Sequence, residues 1–435
     1  MAGRGREKDF RTLVGVRSVL YTLGMATTPD DSAINYDEAR VPRYELPDPL
    51  TASDGRHISS VDEWESTRRP ELLELFRRHV YGRVPAEAAE ITVSAPHTEE
   101  LDLLDGTARA VQTRLRLSGR RGSLPVDVLT VLPRELAERP VPVVVALNFR
   151  GNQTVCDDPG IRVTASWVAP DTGAIDNRAT ESSRGVRASR WPLDLILGAG
   201  YGLVTAYCGD FDPDYDDGFA DGVHGLVEAP VARREDSWGT IAGWAWGLSR
   251  IVDYLNGRPD VDASRIAVLG HSRLGKAALW AAAQDRRFCA AISNDSGCGG
   301  AAITRREYGE TIGAITGRFP HWFCRAFSAY AGRADELPVD QHGLLALLAP
   351  RPCCVGSAQD DRWADPYGEY LSVFHAGPVY GLYGHHTVPA DRMPPVGVRT
   401  GDRIAYHCRA GGHDITDEDW RHYLTVLNAS QSADN

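Results

Sequence analysis

The sequence predicts an α/β fold, a three-layer αβα sandwich in which helices cover both faces of a mostly parallel central sheet. The main observation is a set of short, solid apolar runs separated by helical stretches or long loops. Strands of a parallel sheet have this composition because both of their faces are buried. The runs are VPVVVALNF, GYGLVTAYC, RIAVLG, CAAISND, CCVGSA and RIAYHC.

A different pattern precedes these runs and predicts antiparallel strands in the N-terminal part of the domain. The segments TARAVQTRLRLSG and LPVDVLTVLPREL alternate apolar and polar residues, as half-exposed antiparallel strands do. Helices are predicted at SVDEWESTRRPELLELFRRHVYG, SWGTIAGWAWGLSRIVDYLNG, LGKAALWAAA and DEDWRHYLTVL. The antiparallel strands therefore come first, and the parallel sheet follows them in the chain.

The chain is long enough for one large domain, which we predict over residues 36–430. Its 435 residues are 43% hydrophobic, and we find no internal repeat and no low-complexity tract. Residues 1–35 are predicted to be an extension, either disordered or the result of an incorrect start. The stretch TLVGVRSVLYTLGMA carries an arginine and makes a poor secretory signal. We therefore expect a cytoplasmic protein as written, and a secreted one if the true N-terminus differs.

Charge and cysteine spacing exclude several classes of partner and cofactor. A formal net charge of −12 argues against nucleic acid and acidic membranes as partners, and no apolar run of about 18 residues predicts a membrane span. The eight cysteines show neither CxxC nor Cys/His ligand spacing, so we predict no metal. We also predict no cofactor. Their apolar contexts favour free thiols, with a Cys298–Cys324 disulfide as the alternative. We expect a monomer.

The segment IAVLGHSRLGKAALWAAA places Ser272 between a predicted strand and a predicted helix. This is the context of a nucleophile elbow, in which a strained turn exposes a serine at the carboxyl edge of the sheet. Gly270 supplies the small residue two positions before the serine. The usual second glycine is displaced, because Leu274 takes its place and Gly275 follows. The alternative is a purely structural strand–helix turn in which the serine is the N-cap of the helix.

A nucleophilic serine needs a base, and the base needs a carboxylate to orient it. His413 lies in CRAGGHDIT, after the last apolar strand and before a helix, so it fits the order serine, acid, histidine. The acid is either Asp295, after CAAISN, or Asp361, after CCVGSAQD. Both lie between Ser272 and His413 in the chain, so the order serine, acid, histidine fits either of them. Weaker histidine candidates are His321, His385, His386 and His407, of which His321, in HWF, is typical of packing.

Two cations follow the serine. Arg273 is placed to stabilise the oxyanion that forms when a serine attacks a carbonyl, and its alternative role is a surface salt bridge. Lys276 lies one helical turn further on, where it points either at the same pocket mouth or into solvent.

These stretches together resemble the glucuronoyl esterases, carbohydrate esterase family 15, and more closely their bacterial branch. The resemblance covers about residues 60–430 and rests on GHSRLGKAALWAAA, SNDSGCGGAA, HWFC, DDRWADPYGEY and GGHDIT, with LNFRGN and YCGDFDPDYDDGF. The motif G-x-S-R-x-G-K is far more specific than a general elbow and accounts for the displaced glycine. The resemblance implies an α/β-hydrolase fold and no metal.

The resemblance also implies an activity and residue roles. The family cleaves esters between 4-O-methyl-glucuronic acid branches of xylan and lignin alcohols. Ser272 would be the nucleophile, His413 the base and Arg273 part of the oxyanion hole. The family places its acid at either of two positions, which match Asp295 and Asp361; the fungal branch has glutamate at the first position. The shorter Asp295 therefore favours Asp361 as the working acid, with Asp295 assisting.

The resemblance assigns sugar contacts to Lys276, to Glu310 in REYGE and to Trp363. The partner would be a small or polymeric uronate ester. Two alternatives remain open at this point. One is an acetyl-xylan or other carbohydrate deacetylase of the same fold, and the other is a catalytically silent carbohydrate-binding protein.

Overall fold

A computed structural model describes residues 34–136, 139–227, 233–386, 388–389 and 392–432. Within these residues the strands form a ten-stranded sheet in the order β1-β2-β3-β7-β4-β8-β9-β10-β12-β11, and a small β5-β6 ribbon. The strands are β1 (Thr92–Leu103), β2 (Ala108–Gly119), β3 (Gly122–Pro133), β4 (Val141–Asn148), β5 (Ala174–Ile175), β6 (Arg178–Ala179), β7 (Gly202–Tyr207), β8 (Val261–His271), β9 (Phe288–Asn294), β10 (Cys353–Ala358), β11 (Thr400–Gly401) and β12 (Ile404–Arg409).

The centre of this sheet is parallel, as the apolar runs predict. The pairs β7/β4, β4/β8, β8/β9, β9/β10 and β10/β12 are all parallel. Every residue of β4, β7, β10 and β12 is buried, because helices cover both faces. The pairs β1/β2, β2/β3 and β3/β7 are antiparallel, which matches the alternating segments. The predicted α/β class and the mostly parallel sheet are confirmed.

Helices form the two outer layers of the sandwich. The helices are α1 (Val61–Glu63), α2 (Arg69–Phe76), α3 (Leu193–Gly198), α4 (Cys208–Phe211), α5 (Gly222–Val227), α6 (Thr240–Leu255), α7 (Arg273–Gln284), α8 (Ile312–Arg318), α9 (Arg325–Ser328), α10 (Gln341–Ala346), α11 (Pro366–Leu382) and α12 (Asp417–Ser432). On one face, a large core includes side chains of α2, α6, α7, α10 and α11. On the other, a smaller core joins α3 and α12 to the sheet.

The segment before α1 is held on the surface by specific contacts. The Glu38 carboxylate pairs with Arg306 at 2.7 Å, and the Pro47 carbonyl lies 2.8 Å from His342 Nε2. Most of the predicted extension, residues 1–33, lies outside the described residues. The domain boundaries stay a prediction. In the described part of the chain, no helix has the length and apolar character needed to cross a membrane.

All eight cysteines are free in the structure. Cys298 and Cys324 are both buried and unbridged, so the alternative of a disulfide between them is wrong. Burial raises the pKa of the Cys324 thiol to about 11, as expected for a thiol kept from water.

Candidate active site

The chain turns sharply at Ser272, between β8 and α7. Ser272 has φ 56° and ψ −132°, a backbone conformation that is nearly restricted to glycine and costs about 1–3 kcal/mol in other residues. The Ser272 amide donates to the Asn294 carbonyl at 2.8 Å, and the Gly275 amide donates to the Ser272 carbonyl at the same distance. The strain is therefore held by the neighbouring β9 end and by the first turn of α7, as in a nucleophile elbow.

Two glycines let the strand and the helix approach each other at this turn. A Cβ atom on Gly270 would lie 2.0 Å from the Leu274 carbonyl oxygen, and one on Gly275 would lie 3.0 Å from the Gly270 carbonyl oxygen. The displaced glycine of the sequence motif therefore meets the first glycine across the turn. The structure gives a steric reason for the spacing G-x-S-R-x-G.

Gly270→Ala is expected to destabilise the fold by about 1–3 kcal/mol, because the added methyl meets backbone atoms that cannot move independently. The measurement is the free energy of unfolding in urea. Gly381→Ala is the matched control, since a Cβ there meets nothing within 4 Å in α11. It should be neutral or stabilising by up to about 1 kcal/mol. Equal effects of the two substitutions would contradict the steric argument.

His413 lies next to the serine turn and is bound to a carboxylate. Its Nδ1 lies 2.6 Å from Asp361 Oδ2, and its ring centroid is 4.6 Å from that of His271, the residue before Ser272. An ionised Asp361 accepts, so Nδ1 carries the proton and Nε2 is left as the basic nitrogen. No hydrogen bond joins Ser272 to His413 in the described part of the chain. Such contacts commonly tighten only when substrate binds.

Asp295 occupies the second predicted acid position, and its contacts differ from those of Asp361. One oxygen of Asp295, one of Asp361 and one ring nitrogen of His413 lie within 4.8 Å of one another. Asp295 is buried, its Oδ2 is 3.4 Å from Arg409 Nη2, and its Oδ1 has no hydrogen-bond partner among the described residues. Burial raises the pKa of Asp295 well above its usual range, and the charge of Asp361 adds to this effect. The structure thus brings both candidate acids to His413, and Asp361 makes the hydrogen bond.

Arg409 anchors the loop that carries His413. It donates from Nε to Asp419 at 2.6 Å, from Nη1 to the Ala410 carbonyl at 2.9 Å and from Nη2 to the Gly412 carbonyl at 3.0 Å. Asp419 is fully buried and also lies 2.8 Å from His407 Nε2. His407 therefore belongs to the support of the loop, because the carboxylate that it contacts also binds Arg409.

Arg273 begins α7 and is partly buried beside the serine. Its Nε lies 2.7 Å from Asp214 Oδ2, and its guanidinium carbon lies 4.6 Å from the centre of the Phe149 ring and 5.7 Å from that of Trp322. The side chain is 20% exposed, so this pair is not a surface salt bridge. The amino end of α7 also directs backbone amides toward Ser272, where they favour negative charge.

Lys276, Glu310 and Trp363 come together beside the same turn. Lys276 Nζ donates to the carbonyls of Ser296 at 2.5 Å and Cys298 at 2.6 Å, and lies 3.4 Å from Glu310 Oε2. The Glu310 amide donates to the Trp363 carbonyl at 2.9 Å. The alternative in which Lys276 points into solvent is wrong, because its side chain is only 4% exposed, and its place at the pocket mouth stays a prediction. Its ammonium is buried because three oxygens replace its water.

Sequence reasoning missed three residues that shape the site: Asp214, His271 and Arg409. Asp214 lies in the acidic stretch DFDPDYDD just after β7, at the catalytic edge of the sheet, and this position was the available signal. His271 is buried, with Nδ1 2.6 Å from Asn294 Oδ1, and burial holds its pKa well below the usual value. Nothing in the sequence distinguishes Arg409 from a surface arginine.

The described residues contain one group of three side chains close enough to share a metal ion, namely Asp295, Asp361 and His413. Its His413 Nδ1 is already bound to Asp361 at 2.6 Å, which is the arrangement of a charge-paired base. The absence of a metal or other cofactor stays a prediction.

Comparison with known proteins assigns the family. A family model described as glucuronyl esterase of fungi matches residues 232–384. Carbohydrate esterase MZ0003, from an unknown prokaryotic organism, is 42% identical over 413 residues, which are 94% of this chain and 95% of that protein. The structure of a promiscuous family 15 carbohydrate esterase from a marine bacterial metagenome is also 42% identical, with a TM-score of 0.85, over 91% of this chain and 100% of that one.

The chain belongs to the glucuronoyl esterases of carbohydrate esterase family 15. The glucuronoyl esterase structure from Solibacter usitatus is 41% identical, with a TM-score of 0.82, and covers 90% of this chain and 99% of that one. The predicted family and the α/β-hydrolase fold are confirmed. As a member of the glucuronoyl esterases the chain is a carboxylic ester hydrolase, which favours an enzyme over a silent carbohydrate-binding protein.

Proposed function

We propose that this esterase hydrolyses esters of glucuronic and 4-O-methyl-glucuronic acid, as in the linkages between glucuronoxylan and lignin, through Ser272, His413 and Asp361. The observation that carries the proposal is the 2.6 Å contact of Asp361 with His413, whose ring lies against the residue that precedes the strained Ser272 turn. The related enzyme from Solibacter usitatus is a glucuronoyl esterase. The substrate class comes to this chain from that relationship.

In the first half-reaction, Ser272 Oγ attacks the ester carbonyl carbon while its proton passes to His413 Nε2. Asp361 stabilises the imidazolium that forms. Arg273 and the backbone amides of α7 stabilise the negative charge that develops on the carbonyl oxygen. His413 then returns the proton to the alcohol oxygen as the carbon–oxygen bond breaks. The products are the free alcohol and a glucuronoyl-serine.

In the second half-reaction, water takes the place of the alcohol. His413 removes a proton from the water, the resulting hydroxide attacks the acyl carbon, and Ser272 leaves with the proton from His413. Free uronic acid is released. The uronic ring is on the acyl side of the ester, so side chains that bind the sugar on that side would determine specificity.

Lys276, Glu310 and Trp363 provide the groups that would recognise the sugar. A carboxylate and an ammonium 3.4 Å apart offer both an acceptor and a donor for ring hydroxyls, and the half-buried Trp363 ring can pack on the face of a pyranose. Binding at these remote positions orients the carbonyl for attack by Ser272. In an acetate ester the sugar is on the alcohol side, so these groups would lose their role.

The substrate assignment is tested by a panel of matched esters. We expect kcat/KM for benzyl glucuronate to exceed that for an acetylated xyloside by at least about 10-fold, because a site that hydrogen-bonds its substrate discriminates strongly against analogues lacking those groups. Glu310→Gln should raise KM for the glucuronate ester and leave hydrolysis of 4-nitrophenyl acetate unchanged. Faster release of acetate than of benzyl alcohol would reject the assignment in favour of a carbohydrate deacetylase.

A further inference from the structure

Asp214 is a largely buried carboxylate that lies three residues beyond the end of α4, at the catalytic edge of the sheet. Its Oδ2 pairs with Arg273 Nε at 2.7 Å. Its Oδ1 accepts from Trp322 Nε1 at 2.9 Å and lies 3.4 Å from His321 Nε2. Three side chains from two other parts of the chain thus converge on one carboxylate, whose side chain is 9% exposed.

The contact with Asp214 uses only one edge of the Arg273 guanidinium. Nε lies 2.7 Å from the carboxylate as an ion pair without hydrogen-bond alignment, and none of the guanidinium nitrogens donates a hydrogen bond to any residue in the described ranges. The Phe149 and Trp322 rings lie near the guanidinium, with ring centres 4.6 and 5.7 Å from its central carbon. Trp322 therefore contacts both the cation and its carboxylate.

We propose that Asp214 is a positioning residue, which fixes the Arg273 guanidinium so that its Nη groups are directed at the oxyanion of the transition state. This inference rests on the proposed function, in which Arg273 receives that charge. An unsupported arginine loses rotamer entropy when it becomes fixed in one orientation. A donor that is fixed before the reaction stabilises the transition state without reorganising during it.

The electrostatics of the cluster support this role. Burial opposes ionisation of Asp214, but the Arg273 charge and the hydrogen bonds from His321 and Trp322 outweigh it and hold the pKa of Asp214 below its usual value. The lowered pKa favours the charged carboxylate, which is the form that attracts Arg273. A neutral amide at this position would keep the shape and lose the attraction for Nε.

Asp214→Asn is expected to lower kcat by about 10- to 100-fold, a loss smaller than the 10²- to 10³-fold typical of deleting an oxyanion donor outright. KM should change less than about threefold, since the interaction strengthens only in the transition state. The loss should be the same for benzyl glucuronate and for 4-nitrophenyl acetate, because both form the oxyanion.

A double-mutant cycle separates positioning from a general structural effect. If Asp214 acts through Arg273, then Asp214→Asn should cost less than about threefold in an Arg273→Ala background. Multiplicative losses in the double variant would overturn the proposal. Asp285→Asn is the matched control, because it also breaks a carboxylate–arginine pair, with Arg287. This pair precedes the amino end of β9, whereas the candidate active site lies at the carboxyl ends of the strands. The kcat of this variant should equal that of the wild type.

A second variant covers the case in which Asp214→Asn does not fold. Trp322→Phe keeps an aromatic ring and removes the Nε1 donor to Asp214, so it should lower kcat by about 3- to 10-fold and should have no further effect in the Arg273→Ala background. A wild-type enzyme that cleaves 4-nitrophenyl acetate but not benzyl glucuronate would reject the proposed substrate. The cycle on the acetate would still decide the role of Asp214.

Discussion

Ser272→Ala is expected to lower ester hydrolysis by about 10⁴- to 10⁶-fold, because no other group on the turn can form the acyl-enzyme. The remaining rate would come from the oxyanion hole and from binding. The measurement is kcat for benzyl glucuronate, together with the rapid release of benzyl alcohol in the first turnover that an acyl-enzyme produces. Both should disappear in the variant.

Ser264→Ala is the matched control for this variant. Ser264 lies on the same strand, β8, but is exposed, and its Oγ donates to Asp262 Oδ1 at 2.6 Å. Its kinetics should match the wild type. Wild-type activity in Ser272→Ala would show that the nucleophile is assigned wrongly.

The second large effect is expected at Asp361. Asp361→Asn should lower kcat by about 10³- to 10⁴-fold, because an amide cannot stabilise the imidazolium and favours the wrong tautomer of His413. Asp295→Asn should cost less than about 10-fold. Burial and the Asp361 charge raise the pKa of Asp295 well above its usual range, and Asp361 rather than Asp295 makes the hydrogen bond to His413, so the amide replacement of Asp295 should change less at the base.

Asp360→Asn provides the control for the charge change, since Asp360 is the exposed neighbour of Asp361 and should be silent. The comparison is kcat for the three single variants on one glucuronate ester. A larger loss in Asp295→Asn than in Asp361→Asn would make Asp295 the working acid and would overturn the assignment.

The fold was largely predictable because burial on both faces leaves a clear apolar signature. All six solid runs are strands of the sheet. The prediction misses the two-residue strands β5, β6 and β11 and one long strand, β1, whose residues TVSAPHTEELDL are mostly exposed at the edge of the sheet. An edge strand with one neighbour needs no alternation, and its pairing with β2 shifts register between Ser94 and His97. Such a strand is specified by β2 rather than by its own pattern.

The sequence predicted which residues form the candidate site, but not which of them contact each other. Ser272, His413 and both acids follow strands that end at one edge, which chain order reveals. The choice between Asp295 and Asp361 depends on side-chain direction and on Arg409, a residue far from Asp295 in sequence. Likewise, Lys276 can be buried because its ammonium donates to the Ser296 and Cys298 carbonyls. Every residue has a backbone carbonyl, so the sequence does not show which ones Lys276 meets. Long-range polar contacts of this kind require coordinates.

The two cations of the acyl side have a consequence for the end of the catalytic cycle. Arg273 is paired with Asp214 and Lys276 with Glu310, so each positive charge is balanced before any ligand arrives. A uronate anion that leaves the site therefore loses hydrogen bonds, but no net positive charge of these pairs holds it back. We expect weak product inhibition, so that a medium rich in liberated uronic acid would not stall turnover.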